Sequence, residues 1–291
     1  MTGILLMAHG TPTSLDEIPD YLRLVRGRPA SPELIEEMRH NYAAIGGRSP
    51  LTEITMAQAE GLRARLGGGI PVAVGMRNWR PFIAEAMADL ASAGATRIIG
   101  IPLAPQFSTL SVQKYLDAAQ AALPAGCRFE AVRSYATHPL LLDAFAERVR
   151  EADPTGEDEV VFTAHSLPVR VIEAGDCYCD EVQATARGVA QRLRLSHHDV
   201  AYQSAGRTPE PWIGPEIGAF IRARAAEGAH RLLVAPIGFV CDHTEVLFDL
   251  DIQAVQVARE CNVVLRRTQS LNTMATFLAL LEDLARTAVA A

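Results

Sequence analysis

The chain has 291 residues, 49% hydrophobic and 21% charged, a balance that fits two globular domains of ordinary size and not a fibrous or disordered protein. A net charge of −7 without any Lys/Arg block leaves no nucleic-acid footprint and disfavours an anionic membrane surface. Five cysteines, an odd number, argue against a disulfide framework, and no window approaches the roughly 18 apolar residues of a membrane span, so a cytoplasmic protein is expected.

The apolar run Ile4–Ala8 predicts a first strand; His9 and Gly10 end it too early for the core of an export signal. Helical periodicity follows over Glu33–Ala44 and Ile54–Leu66, then a strand at Val72–Met76, a helix at Ile83–Ala93 and a strand at Arg97–Ile101. The second half repeats the alternation: helix Leu140–Glu151, strand Val160–Thr163, helix Asp180–Leu193, strand Asp199–Gln203, helix Glu216–Glu227, strand Arg231–Ala235 and strand Val263–Arg266. A last helix, about Asn272–Ala288, is expected to pack back on the first half. Strands alternating with helices predict an α/β fold of βαβ units with parallel sheets.

A weak internal repeat divides this pattern in two. GILLMAHGTP (Gly3–Pro12) matches EVVFTAHSLP (Glu159–Pro168), and GATRIIGIP (Gly94–Pro102) matches GAHRLLVAP (Gly228–Pro236), in the same order. An extra segment around Thr13–Leu51 accounts for the wider spacing in the first half. The repeat predicts two similar Rossmann-like lobes, residues 1–135 plus 272–291 and residues 136–271, with a cleft between them. Open parallel sheets bind ligands beyond the carboxyl ends of their strands, so His9 and His165 are placed to line that cleft from opposite sides. Neither GxGxxG after the first strand nor GxxxxGK[ST] is present, which removes the main support for a nucleotide reading.

Two features carry chemistry. Asp242, Glu245 and Asp249 stand at i, i+3 and i+7, a spacing that puts three carboxylates on one helix face. An acidic face can simply be solvated, but this one follows the apolar strand Arg231–Ala235 at its cleft end, where carboxylates suit a divalent cation. His165 ends its strand as His9 does; a packed core histidine is the bland reading and a proton acceptor near neutral pH the sharp one.

FTAHSLP (Phe162–Pro168), GFVCDHTEVLFDLD (Gly238–Asp251), YQSAGRTPEPWIGP (Tyr202–Pro215), APQFST (Ala104–Thr109) and IGGRSPL (Ile45–Leu51) closely resemble the ferrochelatase family, in order and over nearly the whole chain. The resemblance implies a chelatase-like fold holding a porphyrin in the cleft, with ferrous iron as substrate and no other cofactor. His165 would accept the displaced pyrrole protons or ligate the metal. Glu245 would ligate iron or pass protons outward, and Asp249 and Asp251 would continue an outer acidic ridge. Gln253 stands where the family often has a further Glu. Alternatives with the same residues are a cobalt or nickel chelatase and a non-enzymatic haem carrier.

The first-half segment Tyr21–Leu51 is short and basic, with Arg23, Arg26 and Arg28, and looks like that of the soluble coproporphyrin III ferrochelatases more than the longer lip of membrane-associated protoporphyrin IX enzymes. Four propionates reward Arg and hydroxyl donors. The resemblance implies porphyrin contacts from Arg26, Tyr42, Ser49 and Tyr115, and less strongly from Arg77 and Thr109. That group usually has Tyr where His9 stands; His9 is expected to line the cleft and to ligate product iron opposite His165. Cys177 and Cys179 replace two family prolines; free thiols are expected here, not a [2Fe–2S] cluster. A monomer is expected.

Overall fold

The computed structural model describes residues 1–156, 158–206 and 208–291; Arg207 of the Tyr202–Pro215 motif lies outside them. The first half runs β1 (Thr2–Ala8), a 3-10 turn (Leu15–Glu17), α1 (Ile18–Arg26), α2 (Pro32–Ala44), α3 (Leu51–Leu66), β2 (Val72–Met76), α4 (Ile83–Ser92), β3 (Arg97–Pro102), α5 (Val112–Ala121) and β4 (Arg128–Ala131). The second runs α6 (Pro139–Glu151), β5 (Glu159–His165), α7 (Val169–Glu173), α8 (Tyr178–Leu193), β6 (Asp199–Gln203), α9 (Ile217–Ala226) and β7 (Arg231–Ala235). Then follow α10 (Thr244–Leu247), a π-helix (Asp249–Ala254), α11 (Val255–Glu260), β8 (Val264–Arg267) and α12 (Ala275–Ala290).

Among the described residues the strands form two all-parallel sheets, ordered β2-β1-β3-β4 and β6-β5-β7-β8. The orders correspond strand for strand, so the sequence repeat is a repeat of topology: β1 and β5 hold the same central place, and His9 and His165 the same strand end.

Both faces of each sheet are covered, which is why the central strands read as unbroken apolar runs. Along β1, Ile4 and Leu6 enter a core shared with the second sheet, while Leu5 and Met7 face α4 and α5 on the other side. In the second sheet Phe162 and Leu233 join the shared core, and Val161, Leu232 and Val234 pack under α9 and α11. Phe277, Leu280 and Leu281 of α12 are fully buried in the shared core. That helix packs against α3 and β3 and also against α6, so it touches both halves and not the first alone. Arg97 fastens its far end by donating to the carbonyls of Ala288 and Val289 at 2.9 and 3.0 Å.

Several elements escaped the periodicity reading. β4 is a four-residue edge strand whose side chains are at most half-buried, so it lacks the apolar signal. α1 hides its inward face, Ile18, Tyr21 and Leu22, among arginines; with Tyr42 these residues form a separate small core beneath the lip of the cleft. α5 and the one-turn α7 were also missed. α3 begins three residues early, at Leu51, because Pro50 already has helical dihedrals. The last strand is shifted by one residue: Val263 drops into the core and pairing starts at Val264.

Two glycines let the strand ends meet the cleft. Gly10, at φ 82°, turns the chain sharply after His9, and a Cβ there would lie 2.7 Å from the Trp79 amide nitrogen. At Gly238 a Cβ would lie 2.7 Å from Ala164 Cα, so only glycine lets the loop after β7 press against the end of β5. Its amide donates to the Thr163 carbonyl at 3.0 Å, which draws the Glu245 segment toward His165.

Candidate functional site

The carboxyl ends of both sheets open into one cleft of about 670 Å³. Its wall includes His9, Tyr42, Arg77 and Tyr115 from the first half, and His165, His243, Glu245 and Asp249 from the second.

His165 is the last residue of β5. The Ser166 carbonyl accepts from its Nδ1, and an oxygen that can only accept fixes the proton there, so Nε2 is turned to the cleft. Nε2 stands 3.5 Å from Glu245 Oε1. Burial alone would lower the imidazole, but Glu245, the Ser166 carbonyl and Asp249 outweigh it and raise His165 to about 9. The partner moves the other way. Burial would raise Glu245, yet His165 and His243 hold its carboxyl well below the usual range. His243 Nε2 lies 3.4 Å from Glu245 Oε2, with its Nδ1 on the Cys241 carbonyl and its ring on Phe239. Glu245 is therefore a carboxylate between two imidazoles.

The acidic row differs from the one that helical periodicity implied. Asp242 precedes α10 and turns away from the cleft: it accepts from Ser270 Oγ at 2.7 Å and Asn272 Nδ2 at 2.8 Å. Asp251 leaves the ridge too, in a bidentate pair with Arg267 at 2.6 and 2.8 Å. What lines the cleft is Glu245, Asp249 and Gln253, brought to one side by the wider π turn. Burial, opposed by the Ser204 hydroxyl and helped by Glu245, raises Asp249 to about 6. Three carboxylates on one face are thus reduced to two with a neutral amide beyond them.

His9 lines the cleft, but its nitrogens are engaged. Nε2 is 3.0 Å from the Tyr21 hydroxyl, and Asn78 Nδ2 lies 3.2 Å from each ring nitrogen. Burial lowers it to about 4, against the pull of Glu245 and with the push of His243 and Arg77, so it stays neutral near pH 7. To ligate a metal it must first release Tyr21 or Asn78.

The expected porphyrin contacts divide. Tyr42 and Tyr115 are buried in the cleft wall, and burial raises both phenols above their ordinary range. Arg77 lines the cleft beside them. Arg26 ends α1 on the exposed lip, outside the wall. Ser49 is buried outside the wall as well, accepting from the Leu51 amide at 3.3 Å and so steadying the start of α3. Thr109 donates to Asp176. Sequence reasoning missed His243, Asn78, Tyr21, Ser204 and Gln203. The last two stand right after or at the end of a predicted strand, the same signal that picked out His165.

Among the described residues no cysteine is in a disulfide, and Cys177 lies within 3.6 Å of Glu181 Oε1. Among the described residues no three His, Cys, Asp or Glu side chains gather to hold a metal ion, and no helix is long and apolar enough to cross a membrane.

A family model described as Ferrochelatase matches residues 1–289. A ferrochelatase of Thermus thermophilus is 41% identical over 98% of this chain and 99% of its own. A coproporphyrin III ferrochelatase of Geobacillus kaustophilus is 38% identical over 95% of this chain and 92% of its own. Among solved structures, the sirohydrochlorin chelatase SirB of Bacillus subtilis in complex with cobalt aligns at a TM-score of 0.62 and 12% identity, covering 98% of this chain and 94% of that one. At that identity the likeness bears on the fold alone.

Proposed function

The chain belongs to the ferrochelatase family, and on that premise we propose that it inserts ferrous iron into coproporphyrin III, with His165 and Glu245 as the reacting pair. Family membership gives the coarser activity, insertion of a metal into a porphyrin in haem biosynthesis. The observation that carries the finer reading of the site is the His165–Glu245 contact of 3.5 Å at the cleft end of β5.

Insertion exchanges one Fe2+ for the two N–H protons of the free-base ring, so the site must both deliver a dication and remove protons. Glu245 and Asp249 offer oxygen ligands along one wall, ending beside the His165 imidazole. A dication arriving at Glu245 cancels the negative field that keeps His165 protonated. The proton leaves along the carboxylates, and the freed imidazole accepts the two pyrrole protons in turn, passing the first out along the same carboxylates before it takes the second. Iron is a substrate here. The outer ridge extends from Asp249 toward Gln253, without Asp251.

Coproporphyrin III is favoured over protoporphyrin IX by the short basic lip that carries Arg26 and by Arg77 and Tyr115 in the wall, cation and hydroxyl groups that suit four propionates. Relatives named coproporphyrin III ferrochelatases, at 34–38% identity, support it in the same sense. The test is an anaerobic assay with ferrous iron, offering the two porphyrins separately and following loss of free-porphyrin fluorescence beside a His165→Ala control. Faster turnover of coproporphyrin III, lost in the control, is expected. Preference for protoporphyrin IX would overturn the reading of the lip, and binding without insertion would point to a carrier.

A further inference from the structure

The end of β6 grips each part of the reacting pair. Gln203, its last residue, stands opposite His165 in the β5–β6 register and is fully buried. Its backbone carbonyl accepts from the Ser166 amide at 2.7 Å, and Ser166 in turn holds the His165 ring. Its side-chain Nε2 donates to the backbone carbonyl of Glu245 at 2.6 Å. A carbonyl can only accept, so the amide has one orientation, which leaves Gln203 Oε1 buried without a partner among the described residues. An unmade buried acceptor is unfavourable, and an apolar side chain of the same length would avoid it. The next residue, Ser204, takes a left-handed conformation, φ 61°, and its hydroxyl donates to Asp249.

Glu245 needs such a tether. It sits on α10, a helix of four residues that cannot support itself, at the far side of a loop anchored through Asp242 to Ser270 and Asn272. Gln203 is the tie from the sheet side, the side that carries His165.

We propose that Gln203 is a positioning residue for metal insertion: its backbone is held to Ser166 and its side-chain amide to the Glu245 carbonyl, and this tie sets the separation of the His165 imidazole and the Glu245 carboxylate. It acts through the Glu245 backbone, and the proposal rests on the reading that this pair inserts the metal. Misplacement by about 1 Å costs on the order of a hundredfold in rate, so a tie of this kind shows in kcat and not in porphyrin binding.

Gln203→Met keeps length and bulk and removes the donor. Steady-state rates with ferrous iron and coproporphyrin III, measured anaerobically on wild type, Gln203→Met, Glu245→Asp and the double variant, test the role. The single Gln203 variant is expected to lose about tenfold or more in kcat with the porphyrin KM within about twofold. The double variant is expected to be no slower than Glu245→Asp, because both changes act on one group. A kcat within about twofold of wild type, losses that multiply in the double variant, or a parallel rise in porphyrin KM would each overturn the role. Should Gln203→Met fail to fold, Gln203→Asn keeps the donor one methylene short; an intermediate kcat supports the tie and an unchanged kcat refutes it. A wild type inactive on every porphyrin sinks the functional reading itself, whereas an active wild type matched by its Gln203 variants sinks this inference alone.

Discussion

His9, just beyond β1, and His165, at the end of β5, stand at equivalent strands in equivalent sheets and face one cleft, yet their surroundings drive them in opposite directions. His9 meets a phenol and an amide, which are neutral, and burial lowers it to about 4. His165 suffers the same burial but meets a carboxylate, and ends at about 9. The imidazole is common to both sites, so the difference lies in the neighbour each lobe supplies. Duplicated topology puts an imidazole at two corresponding places on one cleft, and the loop after β7, by supplying Glu245, decides which of them is held protonated.

The largest effect expected from breaking this asymmetry is at His165. His165→Ala should lower the rate of iron insertion by about 10²–10⁴-fold, in the range of a lost general base, while His9→Ala should cost far less in the same anaerobic assay. Equal losses would make the two histidines equivalent and undo the comparison.

Next comes pH. Asp249 is raised to about 6, so it takes up a proton as pH falls through that value, and the insertion rate should decline on the acid side with a midpoint near there. Asp249→Asn should remove that limb from the pH–rate profile; an identical limb in the variant assigns it elsewhere. Stability carries a second sign. A histidine raised from 6.5 to about 9 contributes stability that is fully present below 6.5 and lost as pH rises through about 9. Glu245→Gln should therefore lower the melting temperature more at pH 6 than at pH 10.

A subtler effect concerns His9 as an iron ligand. If it leaves Tyr21 or Asn78 to bind product iron, His9→Ala should shift the absorption bands of the bound iron porphyrin, and Tyr21→Phe, which frees Nε2, should shift them the other way. Bands unmoved in His9→Ala leave His9 as part of the wall. The smallest effect is at the lip: Arg26→Ala, on an exposed side chain, should raise the KM for coproporphyrin III by about two- to threefold, as expected for a solvated charge pair.

The sequence held much of this because the strands are covered on both faces. Runs such as Ile4–Ala8 and Leu232–Ala235 are apolar without interruption, and the residues that end them stand out. The acidic row was less legible. A regular helical period groups Asp242 with Glu245 and Asp249, but the chain makes a single turn at α10 and then widens into a π-helix. Asp242 and Asp251 are claimed by Ser270, Asn272 and Arg267, partners many residues further on that no local pattern announces. Ser49 was named through resemblance, and its hydroxyl instead accepts from the first amide of α3. His243 sat inside a quoted motif, but its approach, with Glu245, to the end of β5 depends on the loop that Gly238 lets press against Ala164.

The apolar core that runs unbroken beneath both sheets has a mechanical consequence. Side chains from β1, β5 and α12 interlock in one packed mass, so the two halves cannot swing apart without tearing it open. The lip is built differently: Ile18, Tyr21, Leu22 and Tyr42 make a small core of their own. The cleft therefore rests on a base whose packing both halves share and opens at a rim with a core of its own, and the hydrogen bond between Tyr21 and His9 joins rim to floor.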